Sequence, residues 1–171
     1  MDYPQSFRPL SWRDIPALIF GGKGNDVIIG GNLNDTLFGG AGDDRLEGSD
    51  GNDHIFGQSG KDKILGGAGN DYLNGGSGAD TLWGDSANSH THQGSDTLLG
   101  LAGADELHGE KGNDRLFGGD GNDLIWGDDG SDTGRGGPGG DSANSIEIPR
   151  DHLEIALPDP PEETCVSGLP L

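Results

Sequence analysis

A chain of 171 residues, 30% of them hydrophobic and 35 of them glycine, has the length of one domain but too little apolar material for a conventional two-layer core. Thirty acidic residues against ten basic ones give a formal net charge of -20 and a pI near 4.1, which argues against nucleic acids and anionic membrane surfaces as partners and makes multivalent cations the natural counter-charge. The single cysteine, Cys165, excludes an intrachain disulfide framework, and no stretch approaches the ~18 consecutive apolar residues of a membrane-spanning helix.

Residues 1–20 form an N-terminal flank with Pro4, Pro9 and Pro16, and with neither the basic region nor the apolar run of a signal peptide. The flank ends in Leu18-Ile19-Phe20, which is predicted to be a strand without a cation ligand, covering the open first edge of a repeat array. From Gly21 to Trp83 one nine-residue phrase is written seven times without a gap, starting at Gly21, Gly30, Gly39, Gly48, Gly57, Gly66 and Gly75. An eighth copy begins at Gly84 and is interrupted by seven extra residues, about 86–92, before Gly94-Ser95-Asp96-Thr97-Leu98-Leu99 restores the phrase. Five further copies start at Gly100, Gly109, Gly118, Gly127 and Gly136, so the array spans 21–144.

Across the thirteen copies glycine at position 1 and aspartate at position 6 never fail, and glycine at position 4 fails once, at Leu33. Position 8 is aliphatic in eleven copies, from Ile28 to Ile125, and then decays to Gly134 and Ala143, so the last two copies are expected to be the frayed end. From Ser145 the period stops and proline and acidic residues dominate. Residues 145–171 are expected to be an acidic tail, disordered from 158, with Ile146 to Ile148 and Leu153, Ile155 and Leu157 as candidate closing strands. Gly84 to Ser89 recurs letter for letter at Gly140 to Ser145, which points to an internal duplication.

A short strand in each copy sends position 8 to one face and positions 7 and 9 to the other, so the aliphatics share an interior. The remaining glycine-rich residues must reverse the chain, and position 4 is where a left-handed backbone is expected, a conformation glycine adopts freely and leucine resists. Leu33 is therefore expected to strain the weakest turn, and position 2, which holds glycine less strictly, to be the looser place. The implied fold is all-β: a parallel solenoid with two repeats per coil, two small sheets and two columns of turns.

One column holds Asp26, Asp44, Asp62, Asp80, Asp105, Asp123 and Asp141, and the other holds Asp35, Asp53, Asp71, Asp96, Asp114 and Asp132. Neighbours in a column sit about 4.8 Å apart, where two carboxylates repel by roughly 0.9 kcal/mol in water and about 3.5 kcal/mol at an effective dielectric of 20. A hard cation between successive turns reverses the sign, because Ca²⁺ takes 6 to 8 oxygens from carboxylates and carbonyls, whereas Mg²⁺ demands a tight octahedron and keeps its water. Seven aspartates in one column and six in the other leave at most six and five intervals, of which about six to nine are expected to hold calcium.

These residues resemble the RTX family, the hemolysin-type calcium-binding repeats that form a parallel β-roll in secreted bacterial proteins. The resemblance covers 21 to about 141. It implies that the position 6 aspartates donate carboxylates and the glycine-rich turns donate carbonyls to Ca²⁺. It also implies a chain that leaves the cell through type I secretion machinery and folds on meeting extracellular calcium. Ser49, Gln58, Asp85, Leu101, Glu110 and Asp128 depart from the pattern at the looser position 2, and Leu33 departs at position 4, which puts the Asp35 sites alone in doubt.

No H-E-x-x-H, G-x-S-x-G, Walker A or EF-hand loop occurs, so no catalysis is expected of this chain. Gly134 to Gly139 fits G-x-G-x-x-G, a by-product of glycine abundance. His90 and His92 in the inserted loop are a possible metal pair that lacks a fixed third ligand. Position 9 places Phe38, Phe56, Trp83, Phe117 and Trp126 on the outward face, either as cover for a thin roll or as a docking or self-association surface. Two other readings stand beside a calcium-binding module: the C-terminal part of a secreted hydrolase or toxin, and a surface or matrix interaction protein.

Overall fold

The computed structural model describes residues 15–86 and 94–146; the inserted loop with His90 and His92, and the tail from Glu147, lie outside the described residues. In chain order the strands are β1 (Leu18–Lys23), β2 (Val27–Ile29), β3 (Thr36–Ala41), β4 (Arg45–Asp50), β5 (His54–Ser59), β6 (Lys63–Ala68), β7 (Tyr72–Ser77), β8 (Thr81–Asp85), β9 (Thr97–Ala102), β10 (Glu106–His108), β11 (Arg115–Asp120), β12 (Leu124–Trp126), β13 (Thr133–Arg135) and β14 (Ser142–Asn144). Odd strands make one seven-stranded sheet and even strands the other, every pairing parallel. The result is a β-solenoid of about seven coils, with no helix among the described residues.

Register follows the period: Leu18 pairs with Thr36 and His54 with Tyr72, eighteen residues on, so each coil is two copies of the phrase. Across the insertion the offset becomes 25, as in Tyr72 with Thr97 and Thr81 with Glu106. The seven extra residues therefore leave the coil and return to it without shifting any side chain to the wrong face.

Strand alternation buries the aliphatics of position 8. Ile28, Leu37, Leu46, Ile55, Ile64, Leu73, Leu82, Leu98, Leu107, Leu116 and Ile125 are 0–7% exposed and form one continuous ladder of a core. Ile19 of β1 packs against its first rung, as expected of an edge strand. At the other end Gly134 offers no side chain, and a methyl placed there would stand 2.6 Å from Ile146 Cδ1. Ile146, the last described residue, fills that gap from outside the sheets; the candidate closing strands continue into residues that lie outside the described ones.

Most strands run six residues rather than three, because pairing continues beyond position 1: Gly22 pairs with Gly40, and Lys23 with Ala41. Position 2 turns left-handed in most of the extended strands, though β8 continues through Asp85 without it. Ser49 (φ 88°), Gln58 (81°), Leu101 (80°), Glu110 (70°) and Asp128 (64°) all adopt it. Position 2 thus shares the left-handed backbone of position 4 but carries side chains in it, at φ of 64–88° against 105–152° for the position 4 glycines, so its demand for glycine is the weaker one.

Position 4 is left-handed as expected in, for example, Gly42, Gly60 and Gly69. At Gly69 (φ 126°) an added Cβ would also collide with the Gly51 carbonyl oxygen of the coil before, so conformation and space both demand glycine. Leu33 does not share that conformation: neither it nor Gly31 is among the residues of positive φ. The expected strain at Leu33 is absent because the whole turn from Gly30 to Asp35 takes another path, leaving the leucine 39% exposed.

Candidate metal-binding columns

The solenoid carries position 6 into two stacks. Each aspartate spends one oxygen on the coil before it: the N–H of Asp44 donates to Asp62 Oδ1 (2.8 Å), that of Asp62 to Asp80 (2.8 Å) and that of Asp80 to Asp105 (2.8 Å). The second column repeats this from Asp35 through Asp53, Asp71, Asp96 and Asp114 to Asp132. At the N-terminal edge Ala17, which has no carboxylate, still donates its N–H to Asp35 Oδ1 (2.7 Å). Asp123 and Asp141 continue the first column to the other end.

The other oxygen is the chemically telling one. Oδ2 of Asp26, Asp44, Asp53, Asp62, Asp71, Asp80, Asp96, Asp105, Asp114 and Asp123 is shielded from solvent and accepts no hydrogen bond. A buried carboxylate oxygen without a partner costs several times what a hydrogen bond contributes, so ten in two rows need a common explanation. Position 1 supplies a second donor beside most of them. A Cβ built on Gly57 would strike Asp62 Oδ2 and lie 2.6 Å from the Gly75 carbonyl oxygen of the next coil; Gly100 shows the same with Asp105 Oδ2 and Gly118. Position 1 therefore carries glycine because any side chain would fill the slot where carboxylate and carbonyl oxygens converge.

Burial pushes the carboxyls in the middle of the columns up, and the charges of column neighbours push them further, against the lowering effect of the backbone N–H each accepts. Asp71 and Asp96 rise to about 8, Asp80 and Asp114 to about 7, and Asp53, Asp62 and Asp105 to about 6. Cation-free columns thus hold protons at neutral pH, as stacked buried anions must. A donor set of carboxylate and carbonyl oxygens, without nitrogen or sulfur, fits a hard cation such as Ca²⁺.

Of the thirteen aspartates proposed from sequence, all stand in the two columns, but they are not equivalent. Asp26 and Asp141 at the open ends are half-buried, the inner ones at most 3% exposed. Asp35 is the exception in bonding: the N–H of Gly31 donates to its Oδ2 at 2.5 Å, so the altered turn at Leu33 occupies the oxygen that is unpartnered in the inner columns.

A second ladder beside the first escaped the sequence reading. Side chains at position 5 accept the N–H of the residue one coil on, as Asn25 does from Asp43, Asn52 from Asn70 and Asn122 from Gly140. The recurrence of asparagine before aspartate was the available signal. On the outward faces two of the expected aromatics, Phe38 and Phe56, stack with centroids 4.9 Å apart, and Phe20 of the flank extends the row at the same spacing.

A parallel β-solenoid whose turns stack carboxylates over carbonyls is the architecture of a repeat-built calcium-binding roll. The chain belongs to the RTX calcium-binding nonapeptide repeat family, whose sequence model matches residues 18–46, 29–64, 56–89, 90–125 and 111–143 and so spans most of the 171 residues. The comparison with curated proteins returned no match.

Proposed function

We propose that this chain is a calcium-dependent β-roll in which Asp26, Asp44, Asp53, Asp62, Asp71, Asp80, Asp96, Asp105, Asp114, Asp123, Asp132 and Asp141 hold about six to nine Ca²⁺ ions between successive coils, with Asp35 a weak participant. The observation that carries the reading is the row of buried Oδ2 atoms without hydrogen bonds, most of them beside a position 1 carbonyl. Bound calcium supplies the positive charge that lets the carboxylates ionise inside the protein. The residues do the rest: Oδ1 ties each coil to the last, Oδ2 and the carbonyls face the slot, and position 1 glycine keeps it open.

Binding and folding are one process in this reading, since the slots exist only once coils have stacked. Family membership supports a role outside the cell after type I export, where millimolar calcium would fold the chain; catalysis has no part in it. The deciding experiment is circular dichroism of the full chain with excess chelator and with calcium at pH 7.5. Calcium should induce parallel β structure cooperatively, and equal β content in chelator would sink the proposal.

A second reading, a surface that meets another protein or a second copy, is favoured by one observation: Phe20 is 66% exposed at the end of the stacked Phe20, Phe38, Phe56 row. Calcium-dependent self-association in sedimentation would support it.

A further inference from the structure

On the even-numbered sheet, beside the column of Asp96 and Asp114, three consecutive coils carry a different pattern. The alternation that turns Leu82, Leu107 and Ile125 inward turns positions 9 and 2 outward, so Trp83, His108 and Trp126 stand in one row and Asp85, Glu110 and Asp128 come two residues later along the chain. The His108 ring lies between the two indoles, its centroid 6.1 Å from that of Trp83 and 4.6 Å from that of Trp126, with interplanar angles of 12° and 2°. Nε2 of His108 is 3.1 Å from Glu106 Oε1, and Nδ1 is 3.7 Å from Asp128 Oδ2. One ligand atom each from His108, Glu110 and Asp128 lies within 4.8 Å of the other two.

We propose that His108, Glu110 and Asp128 form a binding site for a divalent transition-metal ion of the zinc class, built from a different donor set than the calcium columns beside it. An imidazole nitrogen with two carboxylates is a donor set that zinc accepts and calcium, which takes oxygen, does not favour. Zinc holds such ligands at about 2.0–2.2 Å, which puts them roughly 3.4 Å apart in a tetrahedron. Closing from the observed spacing takes side-chain rotation of about 1 Å by Glu110 and by the exposed Asp128, with the backbone left in place.

Two features prepare the histidine for this role. Glu106 sits where a metal-bound histidine gives its other N–H to a carboxylate: with the proton on Nε2, the Nδ1 lone pair faces Asp128. The flanking indoles fix the plane of the ring, so the nitrogen is aimed before any ion arrives.

The test uses the full chain in millimolar calcium, which keeps the roll assembled, with zinc added in a calorimetric titration. A single zinc ion per chain is expected, and His108→Ala should weaken its binding roughly tenfold or more. The double change His90→Ala with His92→Ala should leave that ion in place, since those histidines belong to the inserted loop. Should His108→Ala reduce the calcium-bound β signal, Glu110→Gln combined with Asp128→Asn keeps the stacked ring intact and should show the same loss. Nickel, which quenches indole emission on contact, should quench Trp83 and Trp126 in the parent and leave the His108→Ala chain bright. Unchanged zinc affinity in these variants would overturn the site, as would loss of the zinc only in the loop double variant. Stoichiometric displacement of zinc by calcium would overturn the assignment to a nitrogen-containing site.

Discussion

At the scale of single residues, the left-handed backbone divides the repeat in a way that glycine counts do not. Leu101 adopts φ 80° at position 2 and is 45% exposed, so it bears left-handed strain of about 1–2 kcal/mol with little packing to offset it. Leu101→Gly removes that strain at an entropic cost of about 0.5–1 kcal/mol, and should raise stability by up to about 1 kcal/mol in urea unfolding at saturating calcium. Leu33→Gly should do the opposite and lose about 0.5–1 kcal/mol, because Leu33 is not left-handed and the change only loosens the unfolded chain. A gain at Leu33 equal to that at Leu101 would contradict the altered path of the first even turn. Ligand residues answer to a different readout. Asp62→Ala and Asp114→Ala each remove an Oδ2 facing the slot and an Oδ1 that ties two coils, so both should shift the calcium midpoint upward, while His90→Ala leaves it unchanged.

The element that matters most is the column, and its behaviour with pH follows from the raised carboxyls. Folded values of about 6 to 8, against an ordinary 3.8, mean that the calcium-free roll binds more protons than the unfolded chain. Its stability is therefore fullest below about pH 4 and is lost as pH rises through 6 to 8. In chelator, β content should fall between pH 5 and pH 8, and calcium should restore it while releasing protons, so the calcium midpoint drops as pH rises over that window. A calcium midpoint independent of pH would show that the columns carry no protons to displace. The last coil is the other test at this scale. Ile146→Ala opens the space beside Gly134 and should cost about 1–2 kcal/mol, less than a fully buried isoleucine because Ile146 is half-buried. The loss should appear first as faster amide exchange in β13 and β14.

For the whole molecule, stability is a sum of contacts between neighbouring coils, since each sheet pairs strand to strand in one direction and the core is a single file of aliphatics. Such a stack gains little from one coil and much from several, so the calcium response should be steep, with a midpoint of about 10⁻⁴ to 10⁻³ M, and reversed by chelator. The insertion between β8 and β9 lies in the middle of this stack, yet the ladders of both sheets pass it unbroken, through Tyr72 with Thr97 and Thr81 with Glu106. One transition is therefore expected, and two separate calcium midpoints would mean that the halves fold apart.

The sequence alone determined the solenoid, because a period of nine with aliphatics at one phase fits two alternating strands per coil and leaves those side chains one shared interior. It also determined the two columns, since an invariant aspartate at a fixed offset from a strand must stack when the strand does. The structure decided what depended on backbone angles and on contacts between coils. Residue type at position 2 gave no hint of left-handed geometry at Ser49 or Gln58, because the constraint comes from continuing the parallel ladder around the corner and not from the local residue. Likewise the division of labour within each carboxylate, Oδ1 bonded and Oδ2 bare, depends on where the N–H of the preceding coil falls. The shared face of Trp83, His108 and Trp126 was legible, since all three hold position 9 of alternate copies, but the stacking of the imidazole between the indoles and the approach of Asp128 depend on side-chain packing between coils.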